Sequence, residues 1–265
     1  LQKGSHMLRL TLATSAALAF SISAASAAPA IGLVGDKTLV MFDTDTLAVS
    51  GTMDVSGVDS LVGIDLRPSN GMLIGVTPDN TVVTIDTKSG AASELSKMDK
   101  ALPMNGGPVI VDFNPAADKL RYMSGTTNHR VNVDTGAVTV DGSLAYEEGD
   151  MHKGEMPEIA AAAYINSYGK PEKTAMYDVD SEIGALIRQT SPNDGTLAAI
   201  GKFGFEGSGA YAFDVQTTSD MKNTAWLVNQ NTLYTIDLET GKADSKGMIE
   251  GASGEIRDIT ILPAM

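Results

Sequence analysis

The chain has 265 residues, 43% hydrophobic and 20% charged, a composition that folds and excludes a disordered protein. Its formal charge of −14 makes a polyanion an unfavourable partner, so nucleic acid binding is excluded as a function class. It has no Cys, which removes thiol chemistry and disulfides together, and a chain of this length buries enough core without cross-links.

In chain order, Leu1–His6 reads as a cloning remnant ahead of Met7, so His6 is set aside. Met7–Ala27 has the pattern of a secretory signal: Arg9 as the charged start, an apolar run over Leu10–Ile22, and Ala25-Ser26-Ala27 as the cleavage site. That run is too short for a bilayer, which needs about 20 residues. The expected organisation is therefore a remnant over 1–6, a signal over 7–27 and a single domain over 28–265. The expected location is periplasmic or secreted, with no membrane span in the mature form. Removing residues 1–27 takes away Lys3 and Arg9 and no acid, leaving 17 basic against 33 acidic residues, a net charge of −16. Such acidity attracts cations, or simply keeps an exported protein soluble.

The rest of the chain repeats itself. Leu61–Pro68 (LVGIDLRP) has counterparts at Val109–Pro115, Ala161–Ser167, Ala210–Thr217 and Glu255–Leu262. The aligned positions Asp65, Asp112, Tyr164, Asp214 and Asp258 lie 47, 52, 50 and 44 residues apart. A period of that length, built from short strands, is a propeller signature. Pro29–Met53 holds three strands, Ile31–Val34, Thr38–Phe42 and Leu47–Met53. The second unit reads as Val62–Pro68, Met72–Thr77, Thr81–Thr87 and Ala91–Ser96, with turn formers between them. The third reads as Val109–Asn114, Leu120–Ser124, Arg130–Asp134 and Ala137–Val140. The fourth reads as Ile159–Asn166, Thr174–Val179, Ala185–Thr190 and Thr196–Gly201, and the fifth as Ala210–Gln216, Thr224–Asn229, Thr232–Asp237 and Lys242–Met248. The three N-terminal strands lack a partner that Glu255–Leu262 supplies, which closes a ring and hides its edges. The expected fold is an all-β, five-bladed β-propeller of four-stranded blades. Within it, the Asp residues of TIDTKSG (Thr84–Gly90), NVDTG (Asn132–Gly136) and TIDLETG (Thr235–Gly241) read as turn caps.

LVGIDLRPSNGMLIGV, VDFNPAADKLRYMS with RVNVDTGAVTVDGSLAY, AAAYINS and IRQTSPNDGTL together resemble a secreted bacterial family known as domain of unknown function 4394. The resemblance spans nearly all of the mature chain. It implies an exported, propeller-like protein and brings no activity and no catalytic residues. The chain departs from the pattern at Tyr146–Ile159 (YEEGDMHKGEMPEI), where a bland linker is expected.

Strand side chains alternate faces, and the first strand of each blade lines a propeller's channel. The aligned positions therefore predict a ring of Asp65, Asp112, Tyr164, Asp214 and Asp258. A second polar ring follows two residues on: Arg67, Asn114, Asn166, Gln216 and Thr260. Two roles fit the carboxylates. Each accepts backbone N–H groups from the neighbouring blade, or Asp65, Asp112, Asp214 and Asp258 hold a hard cation such as Ca²⁺. Arg67, Arg121 and Arg257 are candidates to offset the charge. The same positions also form a candidate site for a small polar ligand.

Met151, His152 and Met156 are a candidate copper site, since thioether and imidazole suit that metal; a solvated acidic loop is the alternative. Enzyme signatures are sparse. The mature chain has only His129 and His152, and no G-x-S-x-G, H-E-x-x-H or phosphate-loop motif. Asp178 to Gly184 echoes a calcium loop weakly and reads better as a hairpin turn. A glycosidase or lactonase using channel Asp residues is the enzyme alternative, disfavoured by a single Trp and few other aromatics. The sequence thus reads as a binding or scaffold module, with the protein partner, if any, left open.

Overall fold

The computed structural model describes residues 28–104 and 106–263. The expected remnant over 1–6 and signal over 7–27 lie outside the described residues. No helix among the described residues is long and apolar enough to cross a membrane. The elements are all strands, arranged as five antiparallel sheets around one axis, a five-bladed β-propeller.

Blade 1 combines β1 (Pro29–Val34), β2 (Thr38–Asp43) and β3 (Val49–Asp54) with β21 (Ile256–Ile261), which pairs with β1 in antiparallel register, Ala30 opposite Ile261. The two ends of the chain therefore close the ring as expected. Blade 2 is β4 (Gly63–Leu66), β5 (Leu73–Val76), β6 (Thr81–Ile85) and β7 (Ala92–Lys97). Blade 3 is β8 (Val109–Asn114), β9 (Lys119–Ser124), β10 (Thr127–Asn132) and β11 (Ala137–Val140). Blade 4 is β13 (Ile159–Tyr164), β14 (Met176–Asp180), β15 (Ala185–Ser191) and β16 (Thr196–Lys202), with the two-residue β12 (Ala145–Tyr146) added in parallel outside β16. Blade 5 is β17 (Tyr211–Thr217), β18 (Asn223–Asn229), β19 (Thr232–Ile236) and β20 (Ala243–Met248). The inner strands neighbour one another in the order β21, β4, β8, β13, β17 and back to β21.

The core lies between blades rather than within one centre. One apolar cluster joins blades 4 and 5 through Ala161, Val179, Phe213 and Leu227, and another joins blades 2 and 3 through Ile74, Val82, Phe113 and Tyr122. Inner and middle strands are buried on both faces, which is why they read as near-continuous apolar runs, whereas the outer strand β3 alternates and β7 and β20 have no fully buried position.

Turns stitch neighbouring blades by backbone contact. Gly136 ends the β10–β11 turn at φ +75°, and a Cβ there would sit 1.9 Å from the Lys97 carbonyl oxygen of blade 2. Its own carbonyl accepts from Asp99 N at 3.0 Å. Gly241 repeats the arrangement against Gly201 of blade 4. Only glycine allows both the dihedral and the approach.

One strand is added to those expected and one is shortened. At the start of the Tyr146–Ile159 departure, β12 docks on β16 and Tyr146 Oη donates to Asp180 Oδ2 at 2.7 Å. The third strand of blade 3 ends at Asn132, two residues earlier than its NVDTG motif suggests. Asn132 Oδ1 caps that turn by accepting Asp134 N, which frees Asp134 for other work. Asp86 and Asp237 cap their turns as expected, each accepting the N–H groups two and three residues on. Asp180 does the same at the hairpin turn where the calcium-loop echo lies.

Candidate functional site

The inner strands bring the aligned carboxylates to the axis. Asp65, Asp112 and Asp214 are all buried, and each offers an oxygen lying within 4.8 Å of the others. Asp258 lines a narrower stretch of channel with Phe213, Val111 and Ala162.

Each carboxylate reaches the next blade. Asp258 Oδ2 accepts Ile64 N at 2.7 Å, Asp65 Oδ2 accepts Phe113 N at 2.7 Å, Asp112 Oδ1 accepts Tyr164 N at 2.9 Å, and Asp214 Oδ2 accepts Ile261 N at 2.5 Å. Four of the five blade junctions thus carry the same clamp. Inner-strand N–H groups beside the channel have no ladder partner on that side, and a buried N–H left unpaired is costly. The second oxygens of Asp65, Asp214 and Asp258 turn back to the N–H of the following residue in their own strand. Asp112 Oδ2 accepts no hydrogen bond among the described residues.

The fifth junction explains the break in the pattern. Tyr164 Oη accepts from Arg121 Nε at 3.2 Å, a contact back to blade 3. Blade 4 then meets blade 5 through Asn166 N donating to Asn223 Oδ1 at 2.9 Å and Ser167 N donating to Thr217 Oγ1 at 2.8 Å.

The arginines do not neutralise the ring, contrary to expectation. Arg67 forms bidentate pairs with Asp118 (Nη2–Oδ2, 2.7 Å) and Asp134 (Nη1–Oδ1, 2.7 Å) of blade 3. Arg121 pairs with Asp141 at 2.8 Å, and Arg257 donates to the carbonyls of Gly35 and Leu61. No Lys or Arg among the described residues donates to any of the four channel carboxylates. Their protonation follows from this. Burial, then the charges around them, push Asp65 and Asp112 well above the usual carboxylate range, the charges being Asp214 for Asp65 and Asp65 then Asp214 for Asp112. Burial also raises Asp214, and it pushes Asp258 up to about 7.

The second polar ring is only partly realised. Gln216 and Thr260 lie beside Asp65 and Asp214 in a cavity of about 300 Å³ at one mouth of the channel. Thr260 Oγ1 donates to Asp65 Oδ1 at 3.0 Å. Gln216 Oε1 accepts the indole N–H of Trp226 at 3.3 Å. Arg67 is committed to its ion pairs, and Asn114 caps a turn by accepting Ala116 N and Ala117 N. Asn166 lies beyond the end of β13 at φ +63° and is paired with Asn223. Sequence reasoning did not single out Ser167 and Tyr168, which line the same mouth; Ser167 ends the repeated stretch next to the assigned Asn166, and Tyr168 lies beyond it. At the other mouth a 460 Å³ cavity is walled by Leu61, Met104, Pro108, Tyr211 and Arg257.

The candidate copper ligands lie on the outer side of blade 4. Met151 and Met156 are exposed, His152 Nδ1 is paired with Glu155 Oε2 at 2.8 Å, and its ring packs on Tyr146. Asp150 fastens this loop by accepting Ala199 N of β16 at 2.7 Å.

The model of the family described as domain of unknown function (DUF4394) matches residues 38–260. The chain belongs to that family. No curated protein matches it at a significant level. Among solved structures, a protein of unknown function from Bacteroides thetaiotaomicron is similar at 15% identity and a TM-score of 0.53, over 88% of this chain and 66% of the other. The DUF4394 chain thus spans less than two thirds of that protein's length. A protein of unknown function from Bacteroides caccae is similar at 13% identity and a TM-score of 0.43, over 89% of this chain and 99% of the other. An auxiliary nutrient binding protein from Bacteroides ovatus is similar at 11% identity and a TM-score of 0.45, over 80% and 57%. At these identities the first likeness is one of fold, and the other two carry no functional argument.

Proposed function

We propose that this DUF4394 protein is an exported binding module whose axial carboxylates hold a calcium-like cation. Export is supported by the signal pattern over 7–27. The cation reading rests on one observation: oxygens of Asp65, Asp112 and Asp214 gathered within 4.8 Å, buried, with no basic side chain donating to them. Two oxygens on opposite sides of a Ca²⁺ stand about 4.8 Å apart, so the grouping is of the right size. A cation there would offset the burial, and for Asp65 and Asp112 the repulsion, that otherwise raise these acids. Carboxylates already engaged with N–H groups retain lone pairs for a metal, and Asp112 Oδ2 is wholly free to serve.

The test is thermal melting and calorimetry of chelator-treated protein titrated with Ca²⁺ at pH 8 and pH 5. Ca²⁺ at about a hundred times its dissociation constant adds roughly 2.7 kcal/mol, or about 5–10 °C for a domain of this size. The gain shrinks at pH 5, where protons compete. Asp112→Asn keeps an oxygen for Tyr164 N and removes the free carboxylate oxygen, so it should melt cooperatively and lose the Ca²⁺ response. No stabilisation at pH 8, or the same stabilisation in Asp112→Asn, overturns the reading.

A further inference from the structure

The mouth of the channel beside Asp65 and Asp214 contains a group that no described residue satisfies. Gln216 is 4% exposed, and its Nε2 has no hydrogen-bond partner among the described residues. The orientation of the amide is fixed, because an indole N–H can only donate and Trp226 Nε1 therefore faces the oxygen. A buried N–H donor is left beside the 300 Å³ cavity that Gln216 lines together with Asp65, Asp214 and Thr260. Leaving such a donor unpaired costs about 1–3 kcal/mol, so the cavity calls for an acceptor. The carboxylates on the same wall already accept N–H and O–H groups, and the lone pairs they retain can accept a further donor.

The chemistry of the guest follows by elimination. A carboxylate or phosphate would satisfy Gln216 but meet Asp65 and Asp214 with no Lys or Arg among the described residues lining the cavity. An ammonium would suit the acids but present more N–H to Gln216 Nε2. A hydroxyl group both accepts and donates, so a neutral molecule carrying several hydroxyls answers both demands. The outer wall is apolar and aromatic, with Leu262 and the half-open ring of Tyr168, 43% exposed. Such a wall packs the C–H face of a small cyclic polyol. The volume sits at the low end for ligand pockets, which limits the guest to about one ring.

We infer that the mouth lined by Gln216, Asp65, Asp214, Thr260 and Tyr168 binds a small neutral polyhydroxylated compound of the monosaccharide or cyclitol class. The site shares Asp65 and Asp214 with the cation reading but does not require the cation.

Trp226 supplies the readout. It is the single Trp of the chain, so a ¹⁵N-labelled sample gives one indole N–H signal, hydrogen-bonded to the very amide that the guest would engage. The protein is titrated with D-glucose, D-ribose and myo-inositol, and separately with acetate and ethylammonium, each with chelator and with Ca²⁺. At least one of the three polyols should shift the Trp226 signal saturably in chelator, while acetate and ethylammonium should not. Tyr168→Ala, a surface change, should weaken that polyol. Gln216→Met, of similar length and without the amide, should weaken it about tenfold, the loss of one hydrogen bond, read from melting shifts. If Gln216→Met does not fold, Tyr168→Ala decides. No saturable shift with any polyol, an equal response to acetate or ethylammonium, or unchanged affinity in the folded variants overturns the inference. Polyol binding in chelator with no Ca²⁺ stabilisation would sink the cation reading alone, and Ca²⁺ stabilisation without polyol binding would sink this one alone.

Discussion

Asp178 offers the cleanest quantitative test of how this propeller handles buried acid. It lies in β14, fully buried, and its Oδ2 accepts Gln189 Nε2 at 2.8 Å. Its Oδ1 and Gln189 Oε1 are both without partners, two idle acceptors on side chains already joined by one bond. A proton on Asp178 supplies the missing donor. Burial pushes this acid up to about 7 from an ordinary 3.8, against the smaller downward effects of Gln189 and Arg121. The sign is fixed by linkage. A folded-state pKa above the unfolded one gives stability that is complete below the unfolded value and is lost as pH rises through the folded value. Three units correspond to about 4 kcal/mol lost between pH 4 and pH 8.

Asp178→Asn is the shape of the neutral acid and needs no proton. Its amide can donate to Gln189 Oε1 while its oxygen keeps Gln189 Nε2. The variant should therefore match wild type near pH 4 and exceed it by up to about 4 kcal/mol at pH 8, roughly 10 °C in melting temperature. The pH response of the channel acids is common to both proteins and cancels in the difference. Differential scanning calorimetry from pH 4 to pH 8 measures it. A gap that does not grow with pH, or a variant less stable at pH 8, would falsify the idea that Asp178 is held as an acid. Asp178→Leu leaves Gln189 unpaired and should be destabilised at every pH.

Two further predictions concern the joints between blades. Arg67→Ala breaks the bidentate clip to Asp118 and Asp134 and should cost about 2 kcal/mol in urea unfolding, with most of it from the better-buried Asp118; Arg67→Lys should recover only part, because a point charge cannot bridge both carboxylates in plane. A loss under 0.5 kcal/mol for Arg67→Ala would mean the clip is decorative. Gly136→Ala forces a Cβ against the Lys97 carbonyl and should cost about 3 kcal/mol, whereas Gly35→Ala, at φ +55° with nothing within 4 Å, should cost about 1 kcal/mol. Equal losses at the two glycines would show that the dihedral, not the contact between blades, sets the cost.

The fold was legible because the period, the turn residues and the orphan strands at the two ends all point to one ring. The inward Asp positions were legible for a similar reason, since strand alternation is a local rule that Asp65, Asp112, Asp214 and Asp258 obey. Their partners were not. The accepted N–H lies one residue before the aligned position at Ile64, one after it at Phe113, on it at Tyr164 and three after it at Ile261. Those offsets come from how each sheet slides against the next, and packing between sheets has no period in the sequence. Arg67 misled for the same reason: alternation placed it in the channel, but a long side chain found Asp118 and Asp134 of the next blade. β12 was missed because two residues carry no periodic signal. Gln216 reads from the sequence only as a member of the second polar ring, yet Trp226, ten residues on in the same blade, takes its oxygen and turns the amide into a donor.

The fourth blade is where these threads meet. Had it carried an Asp at Tyr164, a fifth buried carboxylate would have joined an axis that already has no basic partner. The phenol removes that charge, and its hydroxyl gives Arg121 an acceptor, while Asn166 and Ser167 take over the junction to blade 5. Asp112, whose clamp lands on Tyr164 N, is then the one channel carboxylate among the described residues with an oxygen left free. Three carboxylates have both oxygens engaged with N–H groups, one oxygen across a blade junction and one in their own strand, and Asp112 has one oxygen engaged. A structural ring and a binding ring are therefore not competing readings of the same residues. The commitments of Asp65, Asp214 and Asp258 hold the channel in shape, and the free oxygen of Asp112 is the one the proposed cation would take.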